Sequence, residues 1–356
     1  MHTKTITIHA LDNCGSGLQA YALQQYLLSK GIDNEIIDYR PWYIHNNGRP
    51  LDWKFFVKRV VFGKGIRQRR TIYDNFIKNF LKVTPKKYTS LKALKDDELK
   101  ADCFIAGSDQ IWNSYFECGK DLAYYLDFVG NQKKVSYAAS LGRTRFDRKK
   151  MDFMKKYVGK FDMVTVREKS AIKVMESIGI PAVQVCDPTL LLDAEAYRKN
   201  EVKLMDGNYI LVYLTQASDL LDKAIERLRK KYKAQVVYVG SFLNRCKCDV
   251  NLRNVGPWEF VGLIDNAKYV IAGSFHASVF SCLLKKSFSV LPYENNIRMK
   301  ELLNRLDLQD RFINSEDDLN IVDQEITPEK FDLIHKQIIN WKKNSEVNFL
   351  KKIIEE

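Results

Sequence analysis

No apolar run in the 356-residue chain is long enough to span a bilayer, so no transmembrane helix is expected. The first residues, Met1-His2-Thr3-Lys4-Thr5-Ile6, alternate polar and apolar positions without an apolar h-region or cleavage site, and no secretory leader is expected there. Cysteine is sparse: seven residues, odd in number and scattered, several inside apolar runs as reduced core residues are. Cys246 and Cys248 do not have a zinc spacing and no second Cys or His pair accompanies them, so no structural metal is expected; no cofactor is expected either. Repeats at a solenoid period, low-complexity segments and recognised nucleic-acid-binding modules are all lacking. The expected location is the cytoplasm.

What is present points to a globular α/β protein. Hydrophobic residues make up 46% and aromatic residues 12%, which is ample for burial, and the length exceeds that of one ordinary core. A net charge of +13 suggests an anionic partner such as a phosphorylated substrate or a lipid head group. The basic residues are spread along the chain, so nucleic acid is not expected.

The pattern opens with a predicted strand at 4–9, a loop carrying Asn13, Gly15, Ser16 and Gly17, a helix ending at Gly31 and a strand at 35–39, a Rossmann-like start. The loop lacks the three-glycine dinucleotide fingerprint; Asp38 would be the residue to meet a ribose if a nucleotide bound. Residues 51–87 mix basic and apolar positions at helical spacing, interrupted by Gly63 and Gly65. This is either a basic arm for peripheral contact with the inner face of the cell membrane or an ordinary pair of helices with solvated lysines. Four strands follow at 103–106, 134–139, 163–166 and 184–186, each delivering polar residues or glycine at its carboxyl end, where open parallel sheets bind ligands. Residues 190–207 read as a linker. A second alternating unit then runs through strands at 209–214, 235–239, 269–272 and 288–291, and 328–356 reads as one helix able to brace the first domain. The expected domains are 1–189, with the basic insertion at about 51–87, and 208–327.

Chemistry gathers at the strand ends. His276 falls in the first turn of a helix capped by Ser274, beside the electropositive helix start, where an imidazole can hold an anion and move a proton. Arg167 offers a fork of donors for a carboxylate or phosphate, or equally an ion pair with Glu168 or Asp162. Asn13 and Ser16 can meet a sugar hydroxyl, though turn chemistry explains them as well. Asp109, with Gln110, Trp112 and Asn113, can act as base or orienter while Trp112 stacks on a sugar ring; alternatively Asp109 caps a helix and Trp112 fills the core.

Taken in order, these segments resemble the polysaccharide pyruvyl transferase family. The resemblance is carried by Asn13-Cys14-Gly15 with Leu18-Gln19-Ala20-Tyr21-Ala22-Leu23, Gly107-Ser108-Asp109-Gln110-Ile111-Trp112-Asn113, Tyr137-Ala138-Ala139-Ser140-Leu141-Gly142, Val166-Arg167-Glu168-Lys169-Ser170-Ala171 and Asp187-Pro188-Thr189-Leu190-Leu191. In the second half it continues with Gly256-Pro257-Trp258-Glu259-Phe260 and Ser274-Phe275-His276. The resemblance implies an α/β fold of two Rossmann-like domains facing across a cleft, GT-B-like. It implies transfer of the pyruvyl group of phosphoenolpyruvate, as co-substrate, onto two hydroxyls of a sugar as a cyclic ketal. The acceptor would be a sugar or lipid-linked oligosaccharide in exopolysaccharide or capsule biosynthesis. It also implies that His276 and Arg167 lie in the donor site, and side-chain chemistry makes His276 and Asp109 the expected catalytic residues. Arg167, Ser274, Phe275, Arg298 and Lys285 would bind the donor, and Asn13, Ser16, Gln110, Trp112 and Asn113 the acceptor; Glu259 is a further candidate. Several family members carry an arginine shortly before the histidine, where this chain has Ser274-Phe275, so the cation is expected from Arg298, Lys285 or Arg143. Two other readings are a glycosyltransferase using a nucleotide sugar, with Glu259 on the ribose, and a non-catalytic glycan- or membrane-binding protein.

Overall fold

Short runs of β-branched and aromatic residues, covered on both faces, produce the fully buried strands at 103–106, 209–213 and 269–272, as parallel sheets require. A computed structural model describes residues 1–46, 53–240, 246–291 and 297–354. The chain divides into two units: Met1–Leu192 with Trp341–Glu356, and Asp193–Asn340.

The first unit contains β1 (His2–Ile6), α1 (Cys14–Ser29), β2 (Asp33–Tyr39), α2 (Trp53–Phe80), β3 (Val83–Tyr88), α3 (Leu91–Lys95), β4 (Cys103–Ala106), β5 (Lys133–Ser136), α4 (Arg148–Val158), β6 (Thr165–Val166), α5 (Lys169–Ser177) and β7 (Val183–Gln184). Its sheet has the order β3-β2-β1-β4-β5 and is parallel throughout. The β6–β7 pair is tied to the β5 side by bridges from Val135 to Met163 and from Ala139 to Val166. Helix α1 is buried almost all round, which fits a central helix.

The second unit contains α6 (Ala194–Arg198), β8 (Tyr209–Tyr213), α7 (Asp219–Tyr232), β9 (Gln235–Val239), β10 (Val250–Leu252), α8 (Pro257–Asp265), β11 (Tyr269–Ala272), α9 (Phe275–Leu283), β12 (Phe288–Val290), α10 (Ile297–Arg305) and the first half of α11 (Pro328–Ile354). Its sheet, β10-β9-β8-β11-β12, is again all parallel. In each unit the chain starts mid-sheet, winds outward, then returns to the other side of its first strand. The crevice that open α/β sheets use therefore lies between the carboxyl ends of β1 and β4 in one unit and of β8 and β11 in the other.

The structure differs from the sequence reading in three places. Residues 82–88 are not helical: Thr84 and Tyr88 turn inward and Lys86 and Lys87 outward on the edge strand β3, where lysines discourage further pairing. The 190–207 stretch is not a free linker, because α6 carries Tyr197 into an edge-on contact with Phe280 (4.8 Å) and Arg198 pairs with Asp265 (2.8 Å). The third is β10, too short and too polar to read from the sequence. Of the basic segment, α2 bends at Phe62, and its later turns bury Tyr73, Phe76 and Ile77 while Arg69 donates to the Asp12 carbonyl (2.8 Å). Part of its basic charge is thus spent on the protein itself. Residues 47–52 lie outside the described part. Among the described residues no helix is long and apolar enough to cross a membrane.

The second half of α11, from Trp341, belongs to the first unit. Ser345 Oγ accepts the Cys186 N–H (2.8 Å), and Phe349 meets the Tyr137 ring edge-on at 4.6 Å.

Candidate functional site

In the second unit, β11 ends in Gly273 and α9 starts at once. A Cβ on Gly273 would stand 2.3 Å from the Leu214 carbonyl oxygen, so only glycine lets the ends of β8 and β11 approach this closely. Ser274 is the N-cap, its Oγ accepting the Ala277 N–H (3.2 Å). His276 follows in the first turn, 9% exposed, with its ring edge-on to Phe275 at 5.3 Å. Helix α9 is buried all round, and an aromatic cluster of Tyr197, Phe260 and Phe280 fixes it against α6 and α8. The histidine is therefore held rigidly at the electropositive end of a helix. Thr215, just beyond β8, is a residue the sequence reading missed. It is buried, and its Oγ1 has no hydrogen-bond partner among the described residues. Its signal was the strand-end position alone. Arg298 lies in the first turn of α10, which follows β12 and so starts from the same sheet edge as His276. Glu259 occupies the first turn of α8 and is half-buried.

Lys285 does not join this group. It follows the last turn of the nine-residue α9, about 14 Å along the axis from Ser274, and pairs with Asp332 at 2.8 Å. A helix start and its end face opposite edges of the layer.

In the first unit, β4 runs into Gly107, Ser108 and Asp109. Asp109 sits at φ +69° and is buried; it accepts from Ser16 Oγ (2.5 Å), which joins the β1–α1 loop to the end of β4. Thr7 Oγ1 donates to the Ser108 carbonyl (3.0 Å) across the same junction. Ala138 at φ +51° adds a second strained residue at the neighbouring strand end, a concentration typical of functional sites. Asn113 Nδ2 donates to Gln110 Oε1 (2.6 Å), and both crowd Gly142, where φ is +64° and a Cβ would meet Asn113 Nδ2 at 2.5 Å. Asn13 is exposed and caps α1 through the Ser16 N–H (3.2 Å). Ser16, Asp109, Gln110 and Asn113 thus form one connected polar group.

Three expectations are corrected here. Trp112 is fully buried, stacked on Tyr125 at 5.8 Å with its indole N–H donated to the Tyr124 carbonyl (3.1 Å), so it fills the core and offers no face to a sugar. Arg167 is only 2% exposed in its side chain: Nη1 donates to Asp187 Oδ2 at 2.8 Å and Nε to Glu168 Oε1 at 3.2 Å. It is a structural cation between two buried carboxylates, not a donor-binding fork. Asp38 is likewise committed. Its carboxyl is pushed up by burial, but hydrogen bonds from His9 (3.1 Å) and Arg40 (2.6 Å), both to Oδ1, outweigh this and hold it below the usual range, and at 2% exposure the side chain is not presented to a ribose. Arg143 lies over the Tyr115 ring.

Lys150 was not legible in the sequence. Its Nζ donates to the Gly119 carbonyl and lies 4.4 Å from the Phe153 ring, and burial pushes its ammonium down to about 8. Between that value and the ordinary 10.5, the unfolded chain holds a proton that the folded chain has released, so stability rises with pH there. Lys150→Met is expected to remove this part of the rise in the urea midpoint between pH 8 and pH 10; an unchanged slope contradicts it.

Similarity to known proteins follows the same lines. Among solved structures, the UDP-GlcNAc 2-epimerase of Neisseria meningitidis bound to UDP-GlcNAc superposes with a TM-score of 0.57 at 12% identity, covering 99% of this chain and 100% of that one. The Methanocaldococcus jannaschii UDP-GlcNAc 2-epimerase gives 0.54 at 13% identity, with 99% of each chain covered. A Polygonum tinctorium UDP-glucosyltransferase gives 0.54 at 8% identity, covering 100% and 98%. These likenesses establish the class of fold, GT-B-like α/β with parallel sheets. No curated protein matches the chain in sequence. The model of the family described as polysaccharide pyruvyl transferase matches residues 13–295, well over half of the chain, and the chain belongs to that family.

Proposed function

We propose that the protein transfers the pyruvyl group of phosphoenolpyruvate to two hydroxyls of one sugar residue, forming a cyclic ketal in a cell-surface or capsular glycan, without a cofactor. The observation that carries the reading is His276, held in the first turn of α9 at the switch point of its sheet, in a chain of the pyruvyl transferase family. Phosphoenolpyruvate needs one proton on its methylene carbon, cationic or N–H partners for a carboxylate and a phosphate, and hydroxyls oriented for attack on the adjacent carbon. In this reading His276 delivers the proton, while the α9 start at Ser274 and the guanidinium of Arg298 receive the anionic groups.

Attack by one sugar hydroxyl forms a carbon–oxygen bond to the central carbon as the methylene carbon gains its proton. The phosphate–carbon bond then breaks, with its electron pair leaving on phosphate, and the second hydroxyl closes the ring. Of the two hydroxyl protons, one balances that given by His276 and the other leaves with phosphate. Asp109 is assigned the hydroxyl proton on the first unit, with Ser16, Gln110, Asn113 and Asn13 as acceptor contacts.

Incubation with phosphoenolpyruvate and a panel of glycans is the test. Phosphate release tied to a pyruvyl mass gain on the glycan supports the reading. Absence of both, together with stabilisation by UDP-sugars but not by phosphoenolpyruvate, favours a nucleotide-sugar enzyme and overturns it.

A further inference from the structure

Away from the β1–β4 junction, a cavity of about 280 Å³ opens at the carboxyl ends of β2 and β3. Its rigid wall is built by Asp121, whose Oδ2 accepts from Tyr39 (2.6 Å) and Tyr43 (2.5 Å) while Oδ1 accepts the Ala123 N–H. On the lip stands Trp42, 54% exposed and edge-on to Tyr43 at 5.5 Å. Exposing more than half of an indole beside a preformed hollow costs apolar burial, which a ligand restores. The Trp42 N–H and the Thr89 hydroxyl, both at this cavity, make no hydrogen bond among the described residues. Glu117 and Lys120 pair at 2.7 Å on the remaining side.

The charge of this lining selects the ligand. Two carboxylates against one ammonium disfavour phosphates, nucleotides and anionic lipids. Free hydroxyl and N–H donors, carboxylate acceptors and an open aromatic face suit a neutral polyol ring, with its C–H face on the indole and its hydroxyls on Glu117, Lys120 and Thr89.

We infer that this cavity is a second saccharide subsite, which takes a neutral sugar ring of an oligosaccharide acceptor further along the chain from the reacting residue. Two strand spacings, about 10 Å, separate the β2–β3 junction from the β1–β4 junction on the same sheet edge, a span that a short oligosaccharide covers and a monosaccharide does not. The assignment of the reacting end rests on the function proposed above; the sugar binding does not.

The test is calorimetric titration of the full-length protein with methyl glycosides of galactose, N-acetylglucosamine and mannose and with their β-linked di- and trisaccharides. At least one oligosaccharide should bind about tenfold more tightly than its monosaccharide, and Trp42→Ala should erase that gain. Glu117→Gln, at the rim, should weaken the same ligand without lowering the melting temperature. Equal binding of mono- and oligosaccharides, or a gain that survives Trp42→Ala, overturns the subsite. Phosphate release from phosphoenolpyruvate, followed in parallel, keeps the two readings apart. Release with an acceptor KM indifferent to Trp42→Ala leaves the transferase and removes the subsite, whereas Trp42-dependent binding without release leaves the subsite and removes the transferase.

Discussion

His276→Ala should lower phosphoenolpyruvate-dependent phosphate release by about 10²- to 10⁴-fold, the usual worth of a positioned proton donor. His276 lies in the first turn of a helix buried on every side, so truncation leaves α9 and its Ser274 cap in place. The loss should fall on kcat, with phosphoenolpyruvate still raising the melting temperature of the variant, because the anion-holding groups remain. His276→Gln, which keeps a hydrogen-bonding group but cannot donate a proton at neutral pH, should be nearly as slow as His276→Ala. A variant that releases phosphate at the wild-type rate removes His276 from the chemistry.

Asp187→Ala should strongly destabilise the first unit. The side chains of Arg167 and Asp187 are 2% and 0% exposed, and removing this carboxylate leaves the buried guanidinium with Glu168 alone of its two carboxylate partners. Breaking a buried pair in this way costs about 3–5 kcal/mol, which for a unit of this size corresponds to a melting temperature lower by about 10 °C. The pairing with Asp187 and Glu168 also holds the Arg167 guanidinium charged against the desolvation that burial imposes, so no neutral form relieves the loss. Removing the whole charge group, Arg167→Met with Asp187→Leu and Glu168→Gln, should recover part of the stability, since neither carboxylate is then left buried without the guanidinium. Thermal unfolding of Asp187→Ala at the wild-type temperature would show that the pair contributes little.

How far the sequence could be read follows from where each signal resides. Strands at 103–106, 235–239 and 269–272 coincide with β4, β9 and β11, because a parallel strand covered on both faces is a bounded apolar run visible without its neighbours. The α9 start was legible for the same local reason: strand, glycine, Ser cap, apolar helix. Side chains whose role depends on neighbours distant in sequence were not. Trp112 after a strand could stack on a ligand or fill the core, and only the packing of Tyr125 and Phe161 against it decides. Arg167 could reach a ligand until Asp187, twenty residues on, is seen to hold it. Lys285 is close to His276 in sequence yet sits at the other end of one helix. The Trp42 cavity joins strand ends at Tyr39 and Thr89 to a loop at Glu117–Asp121, a combination that only the strand order brings together. Lys87 and its neighbours were absorbed into a helical pattern because an edge strand with outward lysines has the same polar spacing over so few residues.

The most direct test of ketal transfer is the reaction run in deuterium oxide with phosphoenolpyruvate and an accepting glycan, the product being followed by NMR. Proton delivery to the methylene carbon predicts a new ketal methyl group carrying a single deuteron, formed in step with inorganic phosphate. A product methyl group without solvent deuterium, or a modified glycan that retains phosphate, would contradict it.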